Sequence, residues 1–176
     1  MRAFVAVTVP EGPTETPFSS IAATGHLTLR FLGDVPEATV EALSRTLGPA
    51  VARSAPFEFV VQGLGAFPGI DRPRVVWRGV TRGASELAAL ARVVREAVES
   101  VGVAPDRAPF VPHVTLFRVR SSRDRARAAE LLRSGDGGRP PEVVRVTSVE
   151  LVESRLEPAG AIHRTVATFP LAGSEG

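Results

Sequence analysis

The segment beginning at His26, "HLTLRFLG", returns in related form at His113, "HVTLFRV", 87 positions further on (113 minus 26), in a chain that has only three histidines. Each copy alternates apolar with polar residues, the period of a strand with one buried face. A strand of this kind repeated half a chain length apart constrains the 176 residues to two similar lobes around an approximate two-fold axis. Strict alternation sets His26, Thr28 and Arg30 on one face, with Leu27, Leu29 and Phe31 on the other. It likewise sets His113, Thr115 and Phe117 against Val114 and Leu116.

The segments between the copies supply the rest of the order. Residues 2–9 alternate apolar and β-branched positions and end at Pro10, as a strand does, whereas 11–25 is rich in Gly, Pro, Ser and Thr and reads as a loop. A helix is expected from Pro36–Glu37, with Val40, Leu43, Leu47 and Val51 at helical spacing and Gly48–Pro49 bending or ending it early. Two strands follow, "PFEFVVQGLG" and "RPRVVWRGV", the second carrying Trp77 as a core residue. Leu87, Leu90, Ala91, Val94, Ala97, Val98 and Val101 then form the stripe of a second helix, with Ser85 as its N-cap. The second motif makes a strand over 113–119. A short basic helix, "SRDRARAAELLRS", a Gly/Pro linker and two closing strands, "EVVRVTSVELVES" and "IHRTVATFPL", complete a mixed α+β pattern.

Composition removes several chemistries. There is no cysteine, so disulfides, thiolate metal sites and a cysteine nucleophile are excluded. The longest apolar runs are far short of the roughly 20 residues that span a bilayer, and the opening "MRAFVAVTVPEGP" lacks the form of a signal peptide, so no membrane association and a cytoplasmic location are expected. All 21 basic residues are Arg, which suits phosphate recognition and equally reflects a coding bias.

His and Thr two residues apart on one strand stand about 6.5–7 Å apart at Cα, close enough for an imidazole and a hydroxyl to converge on one phosphate. Two such strands side by side would bring two imidazoles to a single phosphorus. A neutral histidine could then accept a proton from the nucleophile and an imidazolium could give one to the leaving oxygen. Thr hydroxyls and an Arg would hold the non-bridging oxygens. Zinc takes three or four protein ligands, and the remaining His163 has no adjacent carboxylate, so no metal is expected. A Ser-His-Asp triad needs one histidine and a nucleophile elbow that this chain lacks.

With these motifs the chain resembles the two-histidine phosphoesterase superfamily, and within it the RNA 2′,3′-cyclic phosphodiesterase branch, also called the 2′-5′ RNA ligase family. The likeness runs through "RAFVAVTVP", "HLTLRFLGDV", "GAFPGIDRPRVVW", "PHVTLFRV" and "ESRLEPAGAIHRTVATFPL", in order. It implies a bilobal fold, each lobe an antiparallel sheet with outer helices and a cleft between them. It implies cofactor-free, metal-independent opening of a 2′,3′-cyclic phosphate on an RNA or oligonucleotide end to a 2′-phosphate; a monomer is expected. His26 would be the proton donor to O3′, His113 the base that activates water, and Thr28 and Thr115 the phosphate grip. Substrate-binding candidates are Arg118 and Arg30 for phosphate, Phe117 as a cleft wall or base-stacking surface, and His163, which stands where the family commonly has Tyr. Arg120, Arg123, Arg125 and Arg127 could track an RNA backbone. The family usually carries a helix before the first motif, and Glu11 to Gly25 is too short and turn-rich to hold one. Reversible 2′-5′ joining and RNA binding without turnover are the alternatives.

Overall fold

The computed structural model describes residues 1–10, 25–135, 140–158 and 160–173; the shortened segment before the first motif lies almost wholly outside the described residues. The element order is β1 (Arg2–Thr8), β2 (His26–Asp34), α1 (Glu37–Val51), β3 (Phe57–Phe67), β4 (Val75–Arg82), α2 (Ala84–Ser100), β5 (His113–Arg118), α3 (Ser122–Ser134), β6 (Glu142–Val146), β7 (Ser148–Glu157) and β8 (Gly160–Pro170). The strands form two four-stranded sheets, ordered β2-β1-β7-β8 and β5-β4-β3-β6, with antiparallel pairing in both. Each motif strand is therefore the edge of its sheet, and β2 lies in contact with β5.

One hydrophobic core is shared by both sheets and the first two helices. Val5, Val7, Leu27 and Leu151 point into it from one sheet, Phe59, Val61, Val114 and Val144 from the other. The stripes Val40, Leu43, Leu47, Val51 and Leu87, Leu90, Ala91, Val94, Ala97, Val98 enter it from α1 and α2. Full burial of each Leu or Val removes apolar surface worth about 1.5–3 kcal/mol from water, so these stripes fix the helices behind the sheets. α3 covers a separate small cluster of Val76, Phe117 and Ala128. Ser121 caps α3 by accepting from the Asp124 amide at 3.1 Å, and the Asp124 carboxylate accepts from the Arg120 amide at 2.9 Å.

Local signals misled in three places. α1 continues past Gly48–Pro49 to Val51, because a proline in the last turn forfeits little and Val51 is fully buried. The N-cap of α2 is Gly83, not Ser85: its φ is +85°, and a Cβ there would stand 2.5 Å from the Glu58 carbonyl oxygen. The run "EVVRVTSVELVES" is two strands rather than one. It breaks at Thr147, so that β6 pairs with β3 in one sheet and β7 with β1 in the other.

Candidate active site

His26 opens β2 and stands on the face of its sheet that looks away from the helices. Its ring packs edge-on to Phe4 of β1, centroids 5.6 Å apart, and to His163 of β8 at 5.5 Å. His163 is itself edge-on to Phe4 at 5.1 Å, so the three rings form one cluster. Burial, and then the charge of His26, lower the pKa of His163. The Nε2 atom of His26 also faces a carboxylate, with Glu150 Oε2 of β7 at 4.0 Å. That carboxylate is clamped: Thr8 donates to Oε1 at 2.6 Å and Thr165 to Oε2 at 3.3 Å.

His113 has a different setting. Its Nδ1 lies 2.6 Å from the Val111 carbonyl oxygen, which can only accept, so Nδ1 carries the hydrogen and the neutral ring keeps its lone pair on Nε2. The ring stands edge-on to Phe67 at 4.9 Å and tilted to Trp77 at 5.8 Å. Burial pushes the His113 pKa down; the Val111 carbonyl opposes this in part, and the Arg118 guanidinium adds to the lowering. Each motif histidine thus leans on an aromatic of its own sheet, while one faces a carboxylate and the other a cation.

Both motif strands carry a bulge at the same place, immediately after the threonine. Thr28 pairs with Ala6 and Arg30 with Val5, leaving Leu29 as the extra residue; Thr115 pairs with Trp77 and Phe117 with Val76, leaving Leu116 as the extra residue. One extra residue flips every later side chain to the other face. The expected placement of Arg30 and Phe117 beside their histidines is therefore corrected. Arg30 is 8% exposed and turned to the core side, where it donates to the Ala104 carbonyl at 2.6 Å and pairs with Asp106 at 3.1 Å. Phe117 is also 8% exposed and packs with Val76 and Ala128 under α3.

The residues one step further along take the vacated positions. Phe31, 57% exposed, pairs with Phe4 across the ladder and touches its ring at 5.9 Å on the His26 face. Arg118 is exposed and pairs with Val75, which places it on the His113 face. The structure thus groups His26, Thr28, Phe31 and His163 on one sheet and His113, Thr115 and Arg118 on the other. Sequence reasoning missed Glu150, Thr8 and Phe4, and it put Trp77 in the core rather than against His113. The apolar doublets Phe31–Leu32 and Leu116–Phe117 were the available signal, since two adjacent apolar residues break the alternation that a regular strand would keep. Among the described residues, no group of three or more His, Asp or Glu side chains is placed to hold a metal ion. No helix of the described residues is long and apolar enough to cross a membrane.

Two antiparallel sheets that each present a His-x-Thr edge strand, backed by helices, define an α+β protein of the two-histidine phosphoesterase class. The family model described as the 2′-5′ RNA ligase superfamily matches residues 22–157, and the chain belongs to that family. It is 40% identical over 152 residues to the RNA 2′,3′-cyclic phosphodiesterase of Aeropyrum pernix, covering 85% of this chain and 83% of that one. It is 38% identical to the protein of the same name from Aquifex aeolicus, covering 84% of this chain and 78% of that one. Among solved structures, TT0787 of Thermus thermophilus superposes with a TM-score of 0.71 at 27% identity, covering 99% of this chain and 100% of that one. E. coli LigT complexed with NADP+ gives 0.70 at 26% identity, with 97% of each chain covered.

Proposed function

We propose that the protein is a metal-independent RNA 2′,3′-cyclic phosphodiesterase that works by acid-base catalysis between His113 and His26. The observation that carries this reading is the contrast between the two imidazoles. His113 is held neutral by burial, with its hydrogen on Nδ1 and its Nε2 lone pair available; His26 faces a carboxylate. Environments that separate two like groups in this way assign one as base and the other as acid. His113 takes a proton from water as the water oxygen bonds to phosphorus. The bond from phosphorus to O3′ breaks, and O3′ takes the proton of His26, leaving a 2′-phosphate. Thr28 and Thr115 donate to the non-bridging oxygens, and Arg118 balances their charge. Phe31 offers the terminal base a stacking surface, and His163 borders it beside Phe4.

The names of the relatives from Aeropyrum pernix and Aquifex aeolicus support this substrate class. In this reading the chain is one two-lobed domain, a cytoplasmic monomer acting on RNA ends without cofactor. The family's description as 2′-5′ RNA ligases favours a second use of the same site, the reverse joining of a cyclic end to a 5′-hydroxyl. The test is incubation with a cyclic-phosphate-ended oligonucleotide and identification of the product. His26→Ala and His113→Ala each lose about 10²–10⁴ in rate while melting like the wild type, and a chelator changes nothing. Full turnover in either variant, a 3′-phosphate product, or loss of activity in EDTA would contradict the proposal.

A further inference from the structure

Glu150 is an odd residue to find beside a histidine that the proposed reaction sets against a phosphate. Its side chain is only 16% exposed, its carboxylate lies on the His26 face, and a negative charge there repels phosphate. Nothing in the packing of β7 requires it: Val149 and Leu151 face the core, and the neighbouring position on the Glu150 face, Val152, is satisfied by Phe4 and Ala6. Yet the carboxylate is held in place by one hydroxyl on each oxygen, Thr8 from β1 and Thr165 from β8, and the oxygen taken by Thr165 is the one 4.0 Å from His26 Nε2. Three strands are thus used to aim one carboxylate at one imidazole. The other motif histidine is set instead against a carbonyl, two aromatic rings and the charge of Arg118.

We infer that Glu150, clamped by Thr8 and Thr165, is the positioning residue of the proton donor, holding the His26 ring in place for transfer to the leaving oxygen. This rests on the reading of His26 as the acid. A carboxylate that orients and compensates an imidazolium is how acid-base histidines are commonly assisted by a third group. Here it also offsets the cost of setting His26 beside a second imidazole, His163. The groups that face His26 include Phe4 from β1, Glu150 from β7 and His163 from β8, and of these three Glu150 supplies the negative charge.

The test is steady-state hydrolysis of a 2′,3′-cyclic nucleotide by Glu150→Gln, which keeps the size and the hydrogen-bonding capacity of the side chain and removes its charge. kcat falls about 10- to 100-fold, a part of what full loss of a general acid costs, and KM changes less than about 2-fold. Glu150→Asp recovers part of the rate, and melting curves of both variants match the wild type. Unchanged kcat in Glu150→Gln overturns the inference, as does a fall in KM with kcat intact, which would make Glu150 only a repeller of substrate. The parallel His26→Ala variant separates the two levels: if it is inactive while Glu150→Gln is fully active, the positioning role fails and the acid assignment stands; if it is active, the acid assignment itself fails.

Discussion

Gly65→Ala offers a severe check on how the base is held, because the packing leaves no room for a methyl group. A Cβ built on Gly65 would lie 2.3, 2.4 and 2.7 Å from three carbons of the Trp77 indole. Carbon atoms settle at about 3.5–4.0 Å, so the ring must retreat by at least about 1 Å. It has little freedom to do so, because it is tilted against Phe67 at 5.1 Å and against His113 at 5.8 Å. Overpacking of this kind costs about 1–3 kcal/mol, which for a domain of this size lowers Tm by roughly 2–12 °C. The displacement is handed on to the His113 ring, so the rate of cyclic phosphate opening falls as well. Trp77 is the only tryptophan in the chain, so its emission reports the movement directly. A Gly65→Ala protein with wild-type Tm, emission and rate would refute the claim that this aromatic packing places the base.

The same tryptophan can read the charge on its neighbour. Quenching of Trp77 emission by the His113 imidazolium sets in below pH 6.5, the ordinary imidazole value, because burial lowers the His113 pKa; Arg118→Gln moves the midpoint upward only in part, since the guanidinium is the smaller cause. The unfolded chain binds more protons than the folded one between that lowered pKa and about 6.5, so this group also makes stability fall as pH drops through the window; chemical denaturation at several pH values gives the slope. Arg30 and Arg118 should part company. Arg30→Ala lowers stability by about 1.5–3 kcal/mol through the bonds lost to Asp106 and the Ala104 carbonyl, measured by urea unfolding, and leaves KM nearly unchanged. Arg118→Ala raises KM and leaves Tm nearly unchanged, and the opposite pattern would contradict the face assignment.

The motif pair, the strand-helix order and the apolar stripes of α1 and α2 were readable in the sequence, because each is a short-period pattern written along one element. His26, Thr28, His113 and Thr115 stand where simple alternation puts them, since each pair precedes its bulge. Arg30 and Phe117 follow the bulge and were misplaced: a bulge is set by pairing with β1 and β4, and one strand alone does not display it. The break at Thr147 shows along the segment only as a change of phase, with Val144 and Val146 buried before it and Val149 and Leu151 after it, and which sheet each half joins is set by pairing with β3 and β1. Glu150 was invisible because its meaning comes from three other strands, with Thr8, Thr165 and His26 brought together only by folding. Gly83 was passed over because the penalty on a side chain there is a clash with Glu58, distant in sequence.

The division of labour between the two imidazoles is tested most directly with an oligonucleotide whose terminal cyclic phosphate carries sulfur in place of O3′. A thiolate leaves without being protonated, so it has no need of an acid. This substrate restores His26→Ala to near the wild-type rate and leaves His113→Ala inactive. Equal rescue of both variants, or rescue of neither, would contradict that division.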